Sequence, residues 1–199
     1  MSEGALGAVI LAAGGSSRMG SPKQLLVVDG QPMVARAAAA ALGAGAHPVA
    51  VVAGSDADAV LAAVSGLPVI PVRNSEWPSG LASSVRAGLS ALLATAPGIG
   101  AVLLAPCDQP GLTPAVALRL AAEHRRTGLI AAARYAGRNG APAVFGARHF
   151  QALLALTGDE GARALLNADA SGVSPLDMEE LAADFDYPGD HARWSPGAH

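Results

Sequence analysis

The sequence predicts an α/β fold, a three-layer sandwich with a mostly parallel sheet covered on both faces. Two observations predict it. Apolar runs bounded by turn residues recur at Ala8–Ala12, Val49–Ala53, Leu67–Val72, Ala101–Ala105, Leu129–Ala133 and Ala143–Phe145, as short buried strands require. Segments with helical spacing lie between them, and strand alternating with helix argues for right-handed crossovers.

The helices follow from their punctuation. Pro32 suits a first helical turn, Met33, Val34, Ala37, Ala38, Ala41 and Leu42 recur at helical spacing, and Gly43 suits the exit. Ser55 followed by Asp58 has the form of a capping box opening Ala57–Val64. Leu81, Val85, Leu89 and Leu92 form one apolar stripe. Thr113 and Pro114 open a further helix that Gly128 ends. The aromatic content of 4% is no obstacle, because alanine-rich helices such as 35–46 pack closely on a sheet without bulk.

Composition narrows the function. A length of 199 residues fits one domain over 1–199, with 195–199 expected to fray, and is ample for a core. Thirteen Lys and Arg against sixteen Asp and Glu leave no basic excess, so binding to nucleic acid by phosphate neutralisation has no footprint. The single cysteine, Cys107, makes neither an internal disulfide nor a multi-thiolate zinc site, fits a reducing compartment, and reads as a small buried residue. The apolar stretch Ala5 to Ala13 has no basic residue before it, and no apolar run reaches spanning length; the expectation is a cytoplasmic protein with no membrane partner. The five histidines show no metal-binding spacing, and no Gly-x-Ser-x-Gly elbow supplies a hydrolase nucleophile.

The strongest chemical signal follows the first strand: Leu11-Ala12-Ala13-Gly14-Gly15-Ser16-Ser17-Arg18-Met19-Gly20, then Lys23. Glycines after a strand let backbone N–H groups approach phosphate oxygens, and Arg18 and Lys23 add full positive charges to the same cradle. Ser21 stands where a Walker loop needs lysine, and the dinucleotide fingerprint is missing. The plain alternative is a glycine turn with two solvated cations. A second segment, Asn74 to Leu89, sets Gly80, Ser83 and Ser84 at a helix start, where hydroxyls and N–H groups suit polar ligand atoms or simply cap the helix; Arg86 faces phosphates or solvent. In Leu103-Leu104-Ala105-Pro106-Cys107-Asp108-Gln109-Pro110, Asp108 falls just past a buried strand, at the edge where α/β sheets bind ligands. It is a candidate to hold Mg²⁺ against nucleotide phosphates, or else a turn cap.

The pattern Leu-Ala-Ala-Gly-x-Ser-x-Arg-Met-Gly-x-x-Lys resembles the signature loop of the nucleotidyltransferases related to the molybdenum-cofactor enzymes, whose fold is a Rossmann-like three-layer sandwich. Within that family the loop is similar to the cytidylyltransferase branch: Ala13 stands where the guanylyltransferase branch more often has glycine, which implies CTP over GTP. The resemblance implies that residues 11–17 bind the nucleotide and that Gly80, Ser83 and Ser84 face its base and ribose. It further implies that Asp108 is the metal aspartate and that Asp186, in Asp184-Phe185-Asp186-Tyr187-Pro188-Gly189-Asp190, is the second Mg²⁺ ligand. Tyr187 and Gly189 depart from the family pattern there, and a solvated acidic tail competes. The segment 137–145 resembles an acceptor-side loop, with Ala141 where many relatives carry histidine. Gly158-Asp159-Glu160-Gly161-Ala162-Arg163 also matches, either as acceptor contacts or as a loop opening the helix Ala162–Ala168.

The expected activity is transfer of CMP from CTP to a molybdopterin-type acceptor with release of pyrophosphate. Arg18, Lys23 and Asp108 would be catalytic, and a molybdoenzyme or its chaperone the implied protein partner. Transfer to another phosphorylated acceptor, a non-catalytic nucleotide- or cofactor-binding protein, and a redox enzyme on the same scaffold are the alternatives.

Overall fold

The structure, a computed structural model, describes residues 4–15, 22–159, 161–168 and 170–182. Its strands are β1 (Leu6–Ala12), β2 (Val27–Val28), β3 (Gln31–Pro32), β4 (Val49–Ala53), β5 (Ile70–Arg73), β6 (Ala101–Pro106), β7 (Ile130–Tyr135), β8 (Arg138–Gly146) and β9 (Val173–Asp177). Its α-helices are α1 (Met33–Gly43), α2 (Ala57–Ala62), α3 (Leu81–Thr95), α4 (Pro114–Thr127), α5 (Phe150–Leu154) and α6 (Arg163–Ala168). Seven strands form one sheet in the order β5-β4-β1-β6-β8-β7-β9, while β2 and β3 make a separate small hairpin.

Alternation along the strands builds two cores. Ala8, Ile10 and Ala12 of β1 point to one face with Val49, Val51 and Leu103, where α1, α2 and α4 pack; Val9 points to the other with Val52, Val102 and Leu104, under α3, α5 and α6. Both faces are therefore covered, as the expected three-layer arrangement requires. Gly88 lets α3 settle onto the sheet, since a Cβ there would stand 2.3 Å from Val9 Cγ1.

Several boundaries differ from the sequence reading for local reasons. Leu67 and Val69 belong to a turn, with Val69 N–H donating to Leu67 O at 2.8 Å, so the strand starts only at Ile70. The expected capping box before α2 does not form: Asp56 is the N-cap in a left-handed conformation without a side-chain cap, and Ser55 Oγ instead donates to Gly14 O at 3.3 Å. By contrast Thr113 caps α4, its Oγ1 accepting from Val116 N–H at 3.3 Å, and Gly128 closes it with φ 68°. The larger difference is β8, which runs antiparallel to both its neighbours. Ala136 at φ 47° and Gly137 at φ 71° make a two-residue turn of the tight hairpin kind, and such a turn fixes the following strand in reverse. The sheet is mostly parallel around β1, and β9 at the edge pairs parallel with β7.

Candidate nucleotide site

At the carboxyl ends of β1 and β6 lies a hollow of about 560 Å³. Leu11, Ala12, Ala13, Gly14 and Gly15, where β1 runs out into the glycine turn, form one wall; Lys23, Asp108 and Gln109 form another; Gly80 and Ser84 come from the start of α3. Such an edge of an α/β sheet is where backbone groups of strand-ending loops are free to meet a ligand. Ser16, Ser17, Arg18 and Asp186 lie outside the described residues.

The turn is held from behind. Gln24, 2% exposed, donates from Nε2 to Gly14 O at 2.5 Å, which fixes the direction of that peptide plane. The Trp77 indole lies against the turn, so a Cβ on Gly15 would stand 3.2 Å from its ring, whereas a Cβ on Gly14 would meet nothing within 4 Å. Across the hollow, Lys23 Nζ donates to Asp108 Oδ2 at 2.6 Å, both side chains retaining 22% exposure. The lysine thus carries its charge to the aspartate at the end of β6, beside the turn.

The start of α3 is more occupied than its sequence suggests. Ala82 N–H, one of the early amides of the helix, donates to Gly158 O at 3.1 Å. Ser83 Oγ donates to Gly80 O at 2.8 Å and accepts from Asn74 Nδ2 at 2.8 Å; it sits behind the wall, not on it. Ser84 reaches the hollow while also accepting from Asn74 Nδ2 at 3.0 Å. Arg86 faces neither the hollow nor open solvent alone: it donates to Leu156 O at 2.6 Å and pairs with Glu76 at 3.5 Å.

The third side is built by β7 and β8. Tyr135 Oη donates to Ala141 O at 2.8 Å, and Gln109 Nε2 donates to Tyr135 Oη at 2.9 Å and Ala141 O at 3.2 Å. Asp159 and Arg163, from the segment read as acceptor contacts or as a helix-opening loop, both reach the hollow. Cys107 lines it too, but burial foremost, then the Asp108 charge, pushes its thiol well above the ordinary range, so it stays protonated and is no nucleophile. Gln24, Trp77 and Tyr135 have no assigned role in the sequence; a tryptophan three residues before Gly80 is the one available cue.

Among the described residues no group of three His, Cys, Asp or Glu side chains stands together as a self-contained metal site. A hard cation shared with phosphate oxygens needs only one or two carboxylates, and Asp108 at the open strand end is a candidate for one.

The model of the MobA-like NTP transferase domain matches residues 8–173. The chain belongs to that family. Its enzymes are of nucleotidyltransferase type. Within it the chain is 38% identical over 181 residues, 86% of each protein, to the "Nicotine blue oxidoreductase" of Paenarthrobacter nicotinovorans. It is similar in structure to Rv0371c of Mycobacterium tuberculosis H37Rv, at 31% identity and TM-score 0.77 over 96% of this chain and 97% of that one. A nucleotidyl transferase of Methanothermobacter thermautotroptrophicus aligns at 26% identity and TM-score 0.79 over 95% of each chain. No helix among the described residues of this MobA-like chain is long and apolar enough to cross a membrane.

Proposed function

We propose that the chain is a Mg²⁺-dependent cytidylyltransferase, moving CMP from CTP to a phosphorylated acceptor and releasing pyrophosphate. The molybdopterin-type cofactor is the acceptor that the sequence resemblance supplies, a molybdoenzyme or its chaperone would receive the product, and the cytoplasm is the proposed setting. The observation that carries the reading is the Lys23–Asp108 pair at 2.6 Å, set beside an open glycine turn at the ligand-binding edge of the sheet.

The residues divide the work simply. The open side of Gly14 leaves room for phosphate oxygens, and Lys23 neutralises the charge that builds on them as the phosphorus–oxygen bond to pyrophosphate breaks. Asp108 would hold Mg²⁺, with Asp186 the proposed second carboxylate. When bound, the ion supplies further charge neutralisation on the phosphates. An acceptor phosphate is already a nucleophile, so positioning beside the α-phosphorus replaces any side-chain nucleophile. Support for CTP comes from Ala13 at the position that separates the two branches of the resemblance.

A pyrophosphate-release assay over the four ribonucleoside triphosphates with Mg²⁺, with and without a pterin acceptor, tests this. CTP-selective release is expected; silence with every pairing sinks the reading. The relative named an oxidoreductase favours a second reading, a redox enzyme on the same scaffold. Oxidation of a nicotinamide cofactor together with absent pyrophosphate release would select it.

A further inference from the structure

One short turn braces two walls of the nucleotide hollow. Lys23–Leu25 is a single 3-10 turn, closed by Leu25 N–H donating to Pro22 O at 2.9 Å. From it Lys23 reaches Asp108 at the end of β6, and the next residue, Gln24, reaches back to Gly14 beyond the end of β1. Lys23 serves the phosphates in the mechanism; Gln24, buried beside it, has no part there.

Gly14 and Gly15 form the one Gly-Gly pair in the sequence. The peptide between them turns over by changing ψ of residue 14 and φ of residue 15 alone, and neither residue has a Cβ to resist it. Left to itself, such a peptide presents either its carbonyl or its N–H to a bound anion. The carbonyl sets a partial negative charge against phosphate oxygens, whereas the N–H attracts them.

Two donors converge on that carbonyl. Gln24 Nε2 donates to Gly14 O at 2.5 Å, and Ser55 Oγ, from the loop after β4, donates to the same oxygen at 3.3 Å. Because the peptide is planar and trans, the Gly15 N–H points the opposite way from the oxygen that these side chains hold. Gly15 is exposed on the wall of the hollow, and among the described residues no backbone carbonyl accepts its N–H.

We infer that Gln24, aided by Ser55, is a positioning residue that locks the Gly14–Gly15 peptide with its N–H toward the ligand phosphates. It thereby sets whether the turn attracts an anion or repels it. The inference rests on the phosphate role that the nucleotidyl-transfer reading gives the turn, but on neither the base nor the acceptor.

The probe is tripolyphosphate with Mg²⁺, added to the whole protein, with affinity measured by calorimetry and the Gly15 amide followed by NMR. In the wild type the Gly15 amide proton is expected to move downfield as the anion binds. Gln24→Glu keeps the side-chain length and an acceptor oxygen but loses the donor. Affinity should fall about tenfold or more, and the Gly15 signal should cease to respond, which a loss of stability alone would not produce. Ser55→Ala, which removes the longer bond, should cost about twofold. Should Gln24→Glu not fold, Gln24→Leu, which also lacks the donor, is read in its place. No binding of tripolyphosphate, an unmoved Gly15 amide in the wild type, or affinity within about twofold of wild type in a folded Gln24 variant overturns the inference. Gln24-dependent binding with no pyrophosphate release from CTP upholds the lock and sinks the transfer reading alone. CTP-selective release with an unmoved Gly15 amide does the reverse.

Discussion

Two glycine positions at the same edge of the sheet do opposite jobs. Gly14 looks onto open space, and a Cβ there would touch nothing within 4 Å. Gly80, at φ 111°, has protein pressed against it, and a Cβ there would stand 2.5 Å from the carbonyl carbon and oxygen of Gly158. The first keeps room for a ligand; the second keeps room for another piece of the chain, whose carbonyl takes the Ala82 N–H. Glycine beside a helix start or strand end is thus ambiguous by itself, and what faces the missing side chain decides its meaning.

The comparison can be broken by substitution. Gly80→Ala combines a strained φ with a backbone clash, and should lower stability by about 3 kcal/mol in urea unfolding. A loss under about 0.5 kcal/mol would mean that the 158–159 segment is not seated there. Lys23→Ala should reduce kcat by about 100-fold with little change in melting temperature, as expected for a charge serving the reacting phosphates; unchanged turnover removes the turn from the mechanism.

Two smaller effects sharpen the same contrast. Asn74→Ala removes the amide that ties Ser83 and Ser84, and should cost about 2 kcal/mol of stability. Its CTP affinity should change less than its unfolding midpoint implies, because these serines serve the helix start first. Gly14→Ala should leave stability within about 0.5 kcal/mol yet weaken CTP binding by about tenfold, measured by calorimetry. Equal losses of stability in Gly14→Ala and Gly80→Ala would erase the distinction.

What the sequence disclosed follows from how locally each feature is encoded. β1, β4 and β6 are covered on both faces, so they appear as unbroken apolar runs. The first half of β8, Arg138-Asn139-Gly140, has no such run, and Val173-Ser174-Pro175-Leu176-Asp177 is an edge strand interrupted by proline; neither announces itself. Asp108 and the glycine turn were legible because strand ends place them by topology alone. Gln24, Trp77 and Tyr135 matter only through partners 6 to 62 residues away, such as Gly14, Gly15 and Ala141 of the turn and β8, which no short pattern records. Ser83 shows the converse, a residue in the expected motif whose hydroxyl is engaged with its own scaffold.

The reversal of β8 has one last consequence. In an all-parallel sheet, this rim would be furnished only by loops that follow strands, free to lengthen and wander. Because β8 enters the sheet at the rim instead of leaving it, Gly140 is paired with Ala133 in the ladder, and Ala141, in the bulge that follows, reaches the nucleotide hollow with its carbonyl held by Tyr135 and Gln109. The preference of that side for one guest over another is therefore tuned by swapping single side chains on a stiff edge, and the pocket keeps its shape while its taste changes.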